Sequence, residues 1–157
     1  MSEFEVNNKS DTSITNDIVI FILNDGKSFN VKKELALHFK VIKNFLQEND
    51  HEFDKVDEFP LLNVEYDIFK KTIEFIEYYH VHNMNEIPKP VNSIIINEIV
   101  GDWYGNFIES FNHEDIKKLI HVSDYLMLDP LLNLCCASIA CNIRQKPSNE
   151  IIEILKN

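Results

Sequence analysis

The 157-residue sequence predicts an α+β domain, a small three-stranded sheet flanked by helices and followed by a C-terminal helical extension. Three observations predict it. Two β-rich runs enclose an Asp25-Gly26 pair, a short apolar run opens on Pro60, and from Phe69 onward apolar residues recur at helical spacing. A chain of about 150 residues buries roughly 68–70% of its unfolded surface, enough for one core.

The elements follow in order. Residues 1–16 carry few apolar side chains and read as a disordered tail. Asp17–Leu23 and Ser28–Val31 flank Asn24-Asp25-Gly26-Lys27, a hairpin signal because glycine accepts the positive φ of the turn. The first run is almost continuously apolar, which predicts a strand covered on both faces. Lys32–His38 and Val41–Glu48 read as short helices turning Leu35, Val41, Ile42, Phe45 and Leu46 inward. Glu48–Glu58, with six acids and one lysine, reads as a solvated loop. Phe59–Val64 is then a short strand at an edge or a sheet end, since proline cannot donate to a ladder.

Phe69, Thr72, Ile73, Ile76 and Tyr79 share one helical face, and that helix ends near His82, before a linker holding Pro88 and Pro90. Ile94, Ile95, Ile96 and Ile99 suggest a helix, with an irregular aromatic segment through Trp103 and Phe107 behind it. Asn112 reads as the N-cap of the next helix, with Glu114 and Asp115 in its first turn and Ile116, Leu119, Ile120, Ser123 and Leu126 inward. Asp129-Pro130 reads as a cap followed by a first-turn proline. The helix it opens, Pro130–Ile143, is apolar nearly all round and must be covered nearly all round. Asn149–Lys156 forms a last helix with Ile151, Ile154 and Leu155 on one side and Ile152 on another. That leaves more apolar surface than the chain can hide and points to a partner.

Composition excludes several classes. A net charge of −11 opposes nucleic-acid grooves and anionic membrane surfaces. With three glycines, neither GxGxxG nor GxxxxGK[ST] can be written. The longest strictly apolar run, Ile18–Leu23, is far short of a membrane span, and the N-terminus has no signal-peptide pattern. Cys135, Cys136 and Cys141 suit a reducing compartment, so the expected location is cytoplasm and nucleus.

No reactive constellation emerges. The three cysteines lack Cys-x2-Cys spacing and read as buried packing. His80 and His82 diverge on a helix end. His113 and His121 lack a marked nucleophile or oxyanion donor. The acidic loop lacks the EF-hand order. The expectation is no catalytic residue, no metal, no cofactor and no enzyme activity.

Read together, Phe59-Pro-Leu-Leu-Asn-Val64, Ile68-Phe-Lys-Lys-Thr-Ile73, the proline linker, and Trp103 with Phe107 resemble the S-phase-kinase-associated adaptor family of SCF ubiquitin ligases. The best stretch is Leu119-Ile120, Asp124-Tyr-Leu126, Leu131-Leu132, Ile139-Ala140 and Ile143-Arg144. The resemblance spans roughly residues 17–155 and implies a BTB/POZ fold related to elongin C. It implies a BTB/POZ domain at 17–128 that meets a cullin, and C-terminal helices at 129–157 that hold an F-box. Asp124 and Tyr125 match the family's Asn-Tyr pair at the cullin contact, Asp124 adding a charge there. Leu131, Leu132, Leu134, Cys135, Ile139, Ile143, Ile151, Ile154 and Leu155 match the F-box face. A homodimer is expected where the F-box is absent. The competing readings are a self-associating BTB module and an elongin-C-like adaptor, either of them as a diverged or viral copy.

Overall fold

The computed structural model describes residues 17–48 and 57–156. The expected tail at 1–16 and most of the acidic loop lie outside these residues. Strand β1 (Ile18–Leu23) and β2 (Ser28–Lys32) form the hairpin that Asp25-Gly26 signals. Gly26 has φ +79°, and Leu23 N–H donates to the Lys27 carbonyl at 2.9 Å. Strand β3 (Asp57–Leu61) pairs with β1 in parallel, so the sheet order is β2-β1-β3 with Pro60 on an edge strand. The strand begins two residues earlier than expected, inside the acidic run, and Leu62–Val64 lie beyond it. Residues 57 and 58 pair with Val19 and Ile20, and ladder hydrogen bonds outweigh their low strand propensity.

Only one face of β1 is fully covered, which corrects the expectation of two. Val19, Phe21 and Leu23 are buried, while Ile18, Ile20 and Ile22 are half-buried on the other face. Helices α1 (Lys33–Ala36), α2 (Lys40–Glu48) and α3 (Tyr66–Val81) lie in sequence around the buried face. Phe69 of α3 is fully buried, with ring centroids 5.0 Å from Phe21 and 5.3 Å from Phe29. Leu35 and Ile42 point inward as expected, but Phe45 is 42% exposed and packs edge-on against Phe59. A nine-residue helix on the rim can bury only part of its apolar stripe.

Helix α4 (Ile96–Val100) and α5 (Asp102–Glu109) meet at Gly101, whose φ of +94° lets the chain turn sharply between them. The aromatic segment expected to be irregular is therefore helical. Trp103 stacks on Tyr78 at 3.8 Å and on Phe107 at 5.2 Å, which gives it regular partners on α3 and α5. The proline linker is strapped down. The Tyr104 hydroxyl donates to the His82 carbonyl, the Arg144 guanidinium donates to the Val91 carbonyl, and Cys141 donates to the Ser93 carbonyl at 3.4 Å. Burial and the neighbouring tyrosines push the Tyr104 hydroxyl up to about 12, so it stays a donor at neutral pH.

Asn112 caps α6 (His113–Tyr125) as expected, its side chain accepting from Asp115 N–H at 2.8 Å. Helix α7 (Asp129–Ile143) packs on α4, α5 and α6, so it belongs to the same core as the sheet domain. Asp129 is not its cap, however. Leu128 holds that position without a side-chain bond, and the Asp129 carboxylate instead pairs with the Lys40 ammonium. Helix α8 (Ser148–Lys156) follows the Lys146-Pro147 break.

The α6–α7 turn explains how α6 ends without glycine. Leu128 N–H bonds the Ser123 carbonyl at 2.8 Å and Met127 N–H bonds the Asp124 carbonyl at 3.1 Å, the two bonds of a Schellman motif. Met127 therefore sits at φ +55°, where a side chain is strained and glycine is not. Since Met127 is 43% exposed, Met127→Gly sacrifices little burial. It is expected to raise stability by about 0.5–1 kcal/mol, read as a higher urea midpoint with unchanged slope.

Candidate interaction surfaces

The first surface is built where β3 runs into α3 beside the C-terminal half of α6. It is a concavity of about 670 Å³, with Pro60 and Leu62 on one wall and His121, Asp124 and Tyr125 on the other. Leu62 is 71% exposed because it follows the last paired residue of β3, while Leu61 and Val64 turn into the core. Helical geometry sets the opposite wall. Leu119, Val122 and Leu126 take the buried face of α6 and its end, which turns His121, Asp124 and Tyr125 outward. Tyr125 is 57% exposed, and the Schellman turn fixes the helix end that carries it. Lys118 bridges the walls, its ammonium 3.0 Å from the Glu65 carboxylate, and that hydrogen bond raises the Lys118 pKa.

The second surface lies on α7 and α8. Leu131, Leu134 and Cys135, expected at the F-box contact, are fully buried against the chain's own core. They face inward with Ala137, Ser138 and Cys141, which covers most of the helix from within. Among its larger apolar side chains, Cys136 is exposed and Leu132, Ile139 and Ile143 are half-buried; spaced by four, three and four, they form one stripe. Cys136 is exposed, which corrects the reading of all three cysteines as buried packing. Cys135, by contrast, is pushed up to about 12 by burial and is an inert packing thiol.

No residue of α8 is buried. Ile151 and Ile154 are half-buried, while Ile152 and Leu155 are 51% and 67% exposed. The His113 ring meets the Ile154 carbonyl at 3.3 Å. The expected apolar side of α8 thus exists, with Leu155 its most open member.

His38 and His80 share a 2.9 Å ring hydrogen bond, and burial first, then His80, lowers the His38 pKa. Among the described residues no group of three or more His, Cys, Asp or Glu could hold a metal, and no helix is long and apolar enough to cross a membrane.

Fold and surfaces define a class, an α+β POZ-type domain with one candidate contact surface on β3–α6 and another on α7–α8. A family model described as Skp1 family, tetramerisation domain, matches residues 17–81. The S-phase kinase-associated protein 1 homolog of Tetrahymena thermophila is 31% identical over 127 residues, 81% of this chain and 74% of that protein. SKP1-like proteins 11 and 12 of Arabidopsis thaliana are each 28% identical over 138 residues, 88% of this chain and 82% of theirs. The chain belongs to the Skp1 family.

Proposed function

We propose that this chain is a non-catalytic adaptor of an SCF-type ubiquitin ligase, acting in cytoplasm and nucleus and bridging a cullin to an F-box receptor. Family membership supports the adaptor role. The observation that carries the bridge is the separation of two open apolar faces, one on β3–α6 and one on α7–α8. In this reading the groove beside Asp124 and Tyr125 receives a helical cullin repeat, with Leu62 and Tyr125 as its apolar anchors. Large aromatic anchors dominate such contacts, and the rest of the patch excludes water around them. The stripe Leu132–Ile143 and the side of α8 carrying Ile151, Ile154 and Leu155 receive the F-box. Leu131, Leu134 and Cys135 act from beneath by fixing α7 in place. Burial at about 25 cal/mol per Å² supplies the driving force at both faces.

The test is co-purification of the full chain with an F-box segment and a cullin N-terminal fragment, separately and together, with mass read by light scattering. A 1:1:1 complex is expected. Tyr125→Ala should weaken the cullin by about thirtyfold, a hot-spot effect of about 2 kcal/mol, and leave the F-box in place. Ile154→Asp should do the reverse. Binding of neither partner would remove the proposal. Cullin binding alone would leave a different adaptor or a blocker of ligase assembly.

A further inference from the structure

Among the described residues strand β2 is a free edge of the sheet, and its pairing register says which of its backbone groups are open. Leu23 N–H bonds the Lys27 carbonyl and Lys33 N–H bonds the Asp17 carbonyl, so the hydrogen-bonded pairs of this antiparallel ladder include Phe21 with Phe29 and Val19 with Val31. Ser28 and Asn30 fall on the alternate positions. Their N–H and C=O groups point away from β1, and no described residue bonds them. An unpaired row of this kind is a template for another strand.

Beside this edge runs a groove of about 640 Å³ between β2 and α3, separate from the two surfaces above. Val31, Leu35 and Ile73 form its apolar floor, with half-buried Phe29 at one end. On the rim, Glu34 and Glu77 are exposed carboxylates with no ion pair among the described residues, while Glu74 is held by Lys71 at 2.8 Å. Lys32 and Lys70 also line the groove, so three carboxylates stand against two ammonium groups.

We propose that this groove binds an extended peptide segment of a partner protein, added as a fourth strand on β2, with apolar side chains on the floor and arginine or lysine reaching Glu34 and Glu77. The backbone of Ser28 and Asn30 supplies affinity, and the floor and the two carboxylates supply specificity. Alternation along a strand fixes the pattern: inward positions read basic–apolar–apolar–basic, separated by polar outward positions. A second copy of this chain is the poorer occupant. It would bring the same acidic rim and a net charge of −11 against its like. The inference does not depend on the ligase reading, since it uses neither the cullin groove nor the α7–α8 face.

The test uses the full chain, isotopically labelled, and the probe acetyl-Arg-Thr-Val-Thr-Val-Thr-Arg-amide. Saturable binding is expected, with amide shifts confined to β2, α1 and α3. Asn30→Pro removes an N–H that β1 does not use and is compatible with an extended Phe29, so the fold, checked by circular dichroism, should survive. It should weaken the probe about tenfold, the scale of one lost hydrogen bond in a dry groove. The double variant Glu34→Lys with Glu77→Lys should reverse the preference, favouring the same peptide with glutamate at both ends. The proposal is overturned if the folded chain does not bind the probe, if the shifts map elsewhere, or if neither change alters affinity. It is equally overturned if the chain proves to dimerise through β2 and Asn30→Pro makes it monomeric, because the occupant is then a second copy.

Discussion

Phe69→Ala is expected to lower stability by about 3–5 kcal/mol, the range for truncating a fully buried phenylalanine. The ring is 0% exposed and is the meeting point of the sheet and the helices. It lies 5.0 Å from Phe21 of β1, 5.3 Å from Phe29 of β2 and 6.4 Å from Phe39, the residue before α2. The three remaining rings, held on separate parts of the chain, cannot close over the space that alanine leaves, so the loss is transfer energy plus a cavity. Against a total stability of about 5–15 kcal/mol, this is a large fraction. For a chain of this length it corresponds to a fall in melting temperature of about 10 °C. Chemical and thermal denaturation followed by circular dichroism measure it, with Phe69→Leu, which removes less volume, as a comparison expected to lose less. A loss below about 1 kcal/mol for Phe69→Ala would mean that the ring cluster is not the centre of the fold.

The groove anchors depend on that same cluster through short covalent paths. Phe69 fixes α3, whose first residues follow Leu62 and Glu65, and β3 is held in register by Phe59 edge-on to Phe21 at 6.1 Å. A core change that left the chain partly folded should therefore disturb the β3–α6 concavity before it disturbs α8, which has no buried residue to lose.

How much of this was legible in the sequence depends on the kind of signal each element carries. The hairpin was readable because Asp25-Gly26 has a single local cause, a turn that needs positive φ. The α6 start was readable because Asn112 can satisfy an amide three residues on, and it does. The end of α6 was not marked by glycine, because Met127 holds the left-handed position and the tertiary packing of Leu126 and Leu128, both almost fully buried, maintains it. The α5 segment reads as irregular because its periodicity is carried by aromatic residues whose partner, Tyr78, lies on α3, more than twenty residues earlier. Asp129 looks like a cap, but the salt bridge to Lys40 is non-local and invisible to a motif.

The interaction surfaces divide in the same way. The outward direction of Asp124 and Tyr125 follows from helical period once Leu119, Val122 and Leu126 are assigned to the core. Leu62 was part of a matched strand motif, and only the actual end of β3 at Leu61 shows that it stands free. On α7 the sequence could not say which apolar side faces inward, since nearly every side is apolar. Helices α4, α5 and α6 decide it, taking Leu131, Leu134 and Cys135 for the core and leaving Cys136 exposed and Leu132, Ile139 and Ile143 half-buried.

That division makes α4 and α5 responsible for the α7–α8 face at a distance, and Gly105→Ala tests this. Gly105 is buried in the middle of α5, where glycine normally costs a helix about 0.8–1 kcal/mol relative to alanine. Propensity alone therefore predicts stabilisation. The packing predicts the opposite. A Cβ at Gly105 would sit 2.9 Å from the Asn97 backbone of α4, besides overlapping the Asn97 side-chain amide. The amide could rotate away, losing its 2.9 Å bond to Asn106, but the α4 backbone cannot, because Gly101 joins the two helices directly. Overpacking of this kind costs about 1–3 kcal/mol and forces α4 and α5 apart. In an Asn97→Ala background the loss should shrink without vanishing, since the clash with the α4 backbone remains. Because α7 packs on both helices, Gly105→Ala should also weaken capture of an F-box segment while leaving the groove at Tyr125 unaffected. A stabilised Gly105→Ala variant would show that α4 and α5 do not approach this closely, and that the α7 stripe takes its position from α6 alone.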